Sequence, residues 1–265
     1  MSEFDFVIVG AGSAGCVLAH RLSANPQHRV LLLEAGGRDW NPFIHMPAGI
    51  AQLVKHRWIN WDYYTEPEPA LGGHRLWWPR GRVLGGSSSI NAMCYTRGQR
   101  EDYDGWAALG CAGWDYDSVL PYFRRAEDQA RGADEYHGAG GPLSVADLRY
   151  TNPLSRVFLE AARAVGLPAN DDFNGARQEG VGLYQVTQRN GRRCSTAVAY
   201  LRPARGRANL RVVTGALVRR VVFHGARAIG VEYTHDGRAA TARAGEVLLC
   251  GGALNSPQVL MLSGI

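Results

Sequence analysis

The feature that most constrains the fold is a glycine-rich turn between a strand-like and a helix-like segment near the start of the chain. Phe4–Val9 is a short apolar run rich in β-branched residues, which is typical of a buried parallel strand. The sequence GAGSAG at residues 10–15 follows directly, and residues 13–24 carry apolar side chains at helical spacing. Residues 30–33 indicate a second buried strand. Together these segments form a βαβ unit, which predicts an α/β fold with a parallel sheet.

The turn has the GxGxxG pattern that binds dinucleotides. Gly10 permits the tight turn, Gly12 lets the backbone approach a pyrophosphate, and Gly15 lets the helix pack closely on the strand. The free N–H groups and the positive end of the helix would hold the phosphates. Glu34, 19 positions after Gly15, would accept hydrogen bonds from both hydroxyls of an adenosine ribose and would repel a 2′-phosphate. The pattern therefore disfavours NADP, but it leaves NAD, FAD and a purely structural turn open.

A second glycine turn lies at residues 81–93, where the sequence is GRVLGGSSSINAM. Its serines could cap a helix. A nicotinamide enzyme needs no second phosphate-binding turn at this place, whereas a long two-part cofactor laid across the sheet would use one through backbone N–H groups and the Asn91 side chain. A structural turn remains the alternative.

In the rest of the chain, turn-forming and helix-capping residues mark the ends of the predicted helices and strands. Residues 38–80 combine prolines with tryptophans and tyrosines without a period, so we expect long loops packed over the core. Helices are predicted near 102–109, 116–127 and 154–165, the last with Asn152 as N-cap and Pro153 at its first position. The remaining predicted elements are an antiparallel meander of strands at 217–223, 228–234 and 239–243, a buried strand at 246–250, and a helix from about Ser256.

On these motifs the sequence resembles the glucose-methanol-choline (GMC) oxidoreductase family, nearest to its bacterial choline and alcohol dehydrogenase branch. Three stretches carry the resemblance: GAGSAG with LLEAGG, residues 81–93, and GGALNSPQVLMLSGI at residues 251–265. The resemblance implies a three-layer Rossmann-like FAD-binding domain with a β-meander and part of an α+β substrate domain. The FAD-binding segments would be about 1–37, 80–110 and 205–265, with lid loops and part of the substrate domain at about 38–79 and 140–204.

The resemblance also implies the cofactor and its contacts. FAD would be bound non-covalently, because Ile90 stands where some relatives attach the flavin through a histidine. Val218 would contact the adenine through its backbone, and Ala253 would lie near the cofactor. The turn at Val83, Gly85 and Gly86 would line the approach to the pyrophosphate and flavin. The other implied contacts are to the ADP half (Gly10, Gly12, Ser13, Ala14, Gly15, Glu34 and Ala35) and beside the isoalloxazine (Asn91, Ala92, Met93 and Cys94).

The activity implied by the resemblance is oxidation of the CH–OH group of a choline-like or other primary alcohol, with hydride transfer to flavin N5. The acceptor, whether oxygen, a quinone or another molecule, is not determined. The catalytic histidine and its His or Asn partner would lie beyond Ile265, so no catalytic residue is assigned and we expect an amino-terminal portion of a longer enzyme. The alternatives are a catalytically silent FAD-binding module, a hydroxynitrile lyase on the same scaffold, and an NAD-dependent Rossmann enzyme. The second glycine turn and residues 251–265 disfavour the NAD enzyme.

Charge and cysteine spacing exclude other classes. The net charge is +5 and Lys55 is the only lysine, but the arginines are scattered among acidic residues, so we expect a solvated surface and no nucleic-acid partner. The five cysteines form no CxxC pair, which predicts neither a metal site nor a disulfide framework but thiols in a reducing compartment. No transmembrane segment is predicted, and the start Met1-Ser2-Glu3 lacks the features of a signal peptide, so we expect a cytoplasmic protein.

Three groups of polar and aromatic residues receive structural interpretations. His45, His56, His74 and His137 lack a second catalytic group at a telling spacing and are predicted to be surface or structural residues. Asp171 and Asp172 are expected on a solvated loop. Four tryptophans are expected to be packing residues, and the alternative is that they form a cation–π cage for choline. They are Trp58, Trp61, Trp77 and Trp78.

Overall fold

The computed structural model describes residues 3–265, so the part of the signal-peptide argument that concerns Met1 and Ser2 lies outside the described residues. Two compact units are present, the first formed by residues 3–92 with Ser195–Ile265 and the second by Met93–Cys194. These boundaries fall inside the stretches assigned from the sequence at 80–110 and 140–204. Which stretches bind the cofactor stays a prediction.

Helices and strands are numbered in chain order across both units. The helices are α1 (Ser13–Leu22), α2 (Pro42–His45), α3 (Ile50–Leu53), α4 (Arg100–Ala108), α5 (Tyr116–Ala126), α6 (Pro153–Ala164), α7 (Arg202–Ala204) and α8 (Gly252–Leu262). The strands are β1 (Phe4–Val9), β2 (Val30–Glu34), β3 (Tyr63–Tyr64), β4 (Trp77–Trp78), β5 (Glu127–Gln129), β6 (Leu143–Val145), β7 (Gln188–Arg189), β8 (Arg192–Arg193), β9 (Leu210–Thr214), β10 (Ala216–His224), β11 (Arg227–His235) and β12 (Arg238–Leu249).

A six-stranded sheet in the order β10-β11-β12-β1-β2-β9 forms the centre of the first unit. The neighbours from β12 to β9 pair in parallel, whereas β10, β11 and β12 form the predicted antiparallel meander. All five residues of β2 are buried, as expected of a central strand of a parallel sheet. The sheet core contains Val7, Val9, Leu31 and Leu33, packed against the meander. The predicted α/β class is therefore confirmed.

The strands predicted at 239–243 and 246–250 are wrong as separate elements. One strand, β12, runs through both. Its first half pairs antiparallel with β11 as far as Arg243, and its second half pairs parallel with β1 from Ala244 onward. Gly245 therefore marks a change of partner and does not end the strand.

Residues 38–80 are more structured than the predicted loops. Helix α2 forms there because Asn41 caps it, accepting a hydrogen bond from Phe43 N at 3.0 Å, and Pro42 occupies its first turn. Strands β3 and β4 form a two-residue antiparallel ladder in which Tyr63 faces Trp78. The absence of a period in the sequence reflects the shortness of these elements.

The second unit contains α4, α5 and α6 with two small two-stranded sheets. Asn152 caps α6 as predicted, accepting from Leu154 N at 2.9 Å. A buried polar network joins Glu127 to Arg97 at 2.8 Å and to His137 at 3.1 Å. Asp172 lies outside any helix or strand, with its side chain 34% exposed, and it accepts from His137 Nε2 at 2.9 Å, so this loop residue also closes the network.

Within residues 3–265, no helix is both long enough and apolar enough to cross a membrane. The same residues contain no cluster of three or more His, Cys, Asp or Glu side chains that could hold a metal ion.

Candidate functional site

Three glycine turns meet at the carboxyl ends of the central parallel strands, where ligands bind in open α/β sheets. The first follows β1 at Gly10, and the third follows β12 at Gly251 and Gly252. A Cβ built on Gly10 would lie 2.6 Å from the carbonyl oxygen of Cys250. A Cβ built on Gly86, in the second turn, would lie 2.7 Å from Cα of Gly12. Only glycine allows the three backbones to approach this closely.

The amino-terminal end of α1 opens into this junction. Gly12 is its N-cap and supplies no side-chain hydrogen bond, so the first N–H groups of the helix have no side-chain cap. Gly15 lies against the carbonyl of Gly10 with no room for a side chain, as predicted from the motif. An uncapped helix start with bare backbone around it suits an anionic group such as a pyrophosphate.

Glu34 lies at the end of β2 and is only 5% exposed. Its two carboxylate oxygens accept from Ala11 N and from Gly36 N, each at 2.8 Å. Burial raises the pKa of Glu34 to about 7, opposed by these two hydrogen bonds and by the charge of Arg82. The carboxylate thus ties the end of β2 to the first glycine turn.

The second glycine turn is held by further close backbone contacts. A Cβ on Gly36 would overlap the backbone of Arg82, and one on Gly81 would overlap the backbone of Gly86. Gly85 N donates to the carbonyl of Ala11 at 2.8 Å. The predicted motif at 81–93 therefore packs directly on the first turn.

A cavity of about 830 Å³ extends from these turns along the strand ends. Nine of the predicted cofactor-binding residues line it: Gly10, Gly12, Ser13, Ala14, Glu34, Ala35, Gly86, Val218 and Ala253. Gly15, Val83 and Gly85 are buried behind the wall, and Asn91 and Ala92 are exposed residues outside the cavity lining. Ile90 is buried in an apolar cluster with Ile44, Leu53, Ile59 and Val83.

Met93 and Cys94, the other two predicted contacts, belong to the second unit. Met93 is buried with a φ of 64°, and its carbonyl accepts from Thr187 N at 2.9 Å. Cys94 is exposed and forms a bridge with Val186. Their contact with a cofactor stays a prediction.

The lining also includes residues that the sequence analysis does not single out as cofactor contacts, among them Trp61, Tyr63, Arg80 and Asn255. The ring of Trp61, a residue expected from the sequence to pack, stacks on that of Tyr63, with centroids 5.7 Å apart and planes 11° apart. Tyr63 donates to Oδ1 of Asn255 at 2.7 Å. The sequence signal for Asn255 is its place in the family-like stretch at residues 251–265. Trp61 and Tyr63 lie in NWDYYTEPEP at residues 60–69, a further stretch that resembles the family, and Arg80 lies in neither stretch.

The cavity is suited to binding a long cofactor but offers little acid–base chemistry of its own. Its size lies within the range of cofactor sites, and its glycine junction and uncapped helix end fit a pyrophosphate. Burial raises the pKa of Cys250 to about 11, so this thiol stays protonated at neutral pH. Among residues 3–265, no histidine lines the cavity. The residues present therefore fit FAD. Glu34 lines the cavity with a pKa of about 7, but its two oxygens are already engaged by Ala11 N and Gly36 N.

Comparison with known proteins agrees with this geometry. The profile of the family described as GMC oxidoreductase matches residues 4–265. The mitochondrial choline dehydrogenase of Mus musculus is 52% identical over 99% of this chain and 46% of its own length. The alcohol dehydrogenase [acceptor] of Pseudomonas putida is 49% identical over 99% of this chain and 48% of its own length. The crystal structure of pyridoxine 4-oxidase from Mesorbium loti superposes with a TM-score of 0.95 at 41% identity, covering 99% of this chain and 52% of that one. The chain thus spans about half the length of the curated relatives it matches.

Proposed function

The chain belongs to the GMC oxidoreductase family, and from that premise we propose that it is the FAD-binding part of an enzyme that oxidises the CH–OH group of an alcohol. Members of this family carry FAD. The observation that carries the proposal is the meeting of three glycine turns around a cavity of about 830 Å³. When bound, FAD supplies the acceptor for the hydride that leaves the alcohol carbon.

The residues of this chain bind and orient in the proposed enzyme. The uncapped start of α1 and the glycine junction would hold the pyrophosphate, and Glu34 would accept from the ribose hydroxyls once its carboxylate turns from Ala11 N. Val218 and Ala253 line the same cavity and would contact the cofactor. These roles, with those of Met93 and Cys94, are part of the proposal.

The bond to the cofactor is proposed to be non-covalent. Ile90 is 3% exposed within an apolar cluster and has no group that could attach to a flavin. Acid precipitation tests this point, because dissociable FAD leaves with the supernatant whereas a yellow pellet would contradict the proposal.

The substrate is proposed to be a choline-like or other primary alcohol, since the relatives are named for choline and alcohol dehydrogenation. The electron acceptor is left open between oxygen, a quinone and another molecule. A reducing compartment such as the cytoplasm is proposed for its location, because Cys16 and Cys194 are buried as free thiols.

A second candidate, a catalytically silent FAD-binding module, is favoured by one observation. The described residues that line the cavity, all within 3–265, include no histidine to take the proton of the alcohol. Hydroxynitrile lyase activity on this scaffold has no such observation in its favour.

The visible spectrum of the purified chain, taken after FAD is added, tests both candidates. We expect bound-flavin bands, and anaerobic addition of choline, an aliphatic alcohol and an aromatic alcohol then separates the two functions. Bands that bleach support the oxidoreductase, and bands that persist with every alcohol support the silent module. Failure to take up FAD contradicts both.

A further inference from the structure

The β3–β4 hairpin is joined to α8 across the cavity by one side-chain hydrogen bond. The hydroxyl of Tyr63 donates to Oδ1 of Asn255 at 2.7 Å, although the two residues are 192 positions apart in the chain. Both side chains are half-buried and both line the cavity. The bond therefore connects the hairpin to the helix that follows the third glycine turn, at the place where the cofactor would lie.

The base of this hairpin is anchored separately. Asn60 is 3% exposed; its Oδ1 accepts from Asp62 N at 3.1 Å and from Arg80 N at 2.9 Å, and its Nδ2 donates to the carbonyl of Val54 at 2.8 Å. Trp61 N donates to the carbonyl of Arg80 at 2.8 Å. These contacts fix where the hairpin leaves the core, but they do not fix its position over the cavity.

The side chains beyond the base form a stacked row. The guanidinium of Arg82 lies 4.8 Å from the ring centroid of Trp61, and the Trp61 ring stacks on that of Tyr63. Tyr63 then reaches Asn255. The row runs from the second glycine turn to the third, so it joins two of the three backbones that form the candidate site.

The chemistry of the pair makes it a fixed donor and acceptor. Burial raises the pKa of Tyr63. The phenol therefore stays protonated at neutral pH and can donate its hydrogen bond. The neighbouring Tyr64 is 52% exposed, is not among the cavity-lining residues, and has its ring centroid 5.8 Å from the guanidinium of Arg75. Tyr64 is therefore a matched control for the loss of a hydroxyl.

We propose that Tyr63 and Asn255 are positioning residues that hold the hairpin against α8 and so limit the rate at which the cofactor leaves the cavity. The inference rests on the proposed function, because it takes FAD as the occupant. Neither residue needs to contact the reacting atoms for this role.

The test compares purified Tyr63→Phe, Asn255→Leu, the double variant, Asn255→Asp and the control Tyr64→Phe. FAD release is timed by the recovery of free-flavin fluorescence after dilution. We expect release to accelerate by about fivefold in Tyr63→Phe and in Asn255→Leu, the effect of losing one hydrogen bond. The double variant should be no faster than either single variant, because both remove the same bond. Asn255→Asp keeps an oxygen acceptor and should release at close to the wild-type rate, as should Tyr64→Phe.

Acrylamide quenching of tryptophan fluorescence in the cofactor-free protein gives an independent reading, with Trp61→Phe used to assign the signal. A loosened hairpin exposes Trp61, so quenching should increase in Tyr63→Phe and not in Tyr64→Phe, while urea unfolding midpoints stay similar. Additive effects in the double variant, or equal effects of Tyr63→Phe and Tyr64→Phe, would overturn the proposal. If the wild-type chain takes up no FAD, the proposed function fails, and unchanged quenching in Tyr63→Phe is then what overturns the positioning role.

Discussion

At the scale of single residues, the close approach of the Gly86 backbone to Gly12 predicts a sharp effect of one methyl group. Gly86 has a φ of 54° and no room for a Cβ beside Gly12, whereas Gly72 has a similar φ of 64° with nothing within 4 Å. Both alanine variants should lose about 1 kcal/mol from backbone strain. Only Gly86→Ala must also push the second turn away from the first.

We therefore expect Gly86→Ala to abolish FAD uptake and to destabilise the chain clearly more than Gly72→Ala does. Flavin titration and urea unfolding of the two variants measure this difference. Equal losses in the two variants would show that the strained backbone matters and the close approach does not.

Glu34 predicts a pH dependence of stability. Its pKa rises from 4.5 to about 7 on folding, because burial disfavours the carboxylate. The folded state binds the proton more tightly, so the stabilisation is fully present below pH 4.5 and is lost as the pH rises through 7. The loss amounts to about 3 kcal/mol.

Glu34→Gln removes this titration. The free energy of unfolding should therefore fall less between pH 5 and pH 8 in Glu34→Gln than in the wild-type chain, as measured by urea unfolding. The control Glu66→Gln changes an exposed carboxyl and should follow the wild type. A fall of the same size in Glu34→Gln and the wild type would rule out Glu34 as its source.

Local motifs made part of this site predictable. The packing role of Gly15 followed from the GxGxxG pattern, because the pattern states which backbones must touch. Tyr63 and Asn255 could not be paired in the same way, since a contact between residues 192 positions apart leaves no periodicity or spacing to detect.

At the scale of elements, the same distinction between local sequence signals and long-range contacts explains why one strand prediction was wrong. The meander was predicted because its strands are joined by short turns at 224–227 and 236–237. The sequence predicts two strands where β12 is one, because only the pairing of Ala244 with Phe4 shows that the strand continues with a new partner. Short elements such as α2 are held by a cap and a proline and are too brief to show a period.

The network within the second unit predicts a further titration. The hydrogen bond to Asp172 has the largest effect on the pKa of His137, and the hydrogen bond to Glu127 the next largest. Together they raise this pKa from 6.5 to about 9. The imidazolium therefore stabilises the fold below pH 6.5, and this stabilisation is lost as the pH rises through 9. Asp172→Asn should lower the pKa of His137 in an NMR titration with labelled histidine.

Asp171→Asn is the matched control, because Asp171 is the exposed neighbour of Asp172. It should leave the pKa of His137 unchanged. Equal lowering by both variants would mean that the general charge of the loop, and not the bond to Asp172, holds the proton.

At the scale of the whole molecule, helix α6 presents its large apolar side chains to the outside. Leu154 is 75% exposed, Phe158 is 69% exposed and Val165, just after the helix, is 80% exposed, whereas the residue that the helix buries is the small Ala162. These positions follow one another at spacings of four and seven, so they form one continuous apolar stripe. Stripes of this kind mark interaction surfaces, and an uncovered one promotes association.

The chain on its own should therefore self-associate, and its weight-average mass in sedimentation experiments should rise above 28.9 kDa as concentration increases. Phe158→Lys places a charge in the middle of the stripe and should hold the mass close to that of the monomer. Leu109→Lys makes the same change at a residue that is 85% exposed but lies outside the stripe, so it should leave association unchanged. If both variants suppress self-association, net charge controls it, because the added lysine then acts at either position. Suppression by Phe158→Lys alone assigns it to the stripe, since only there does the charge interrupt a continuous apolar surface.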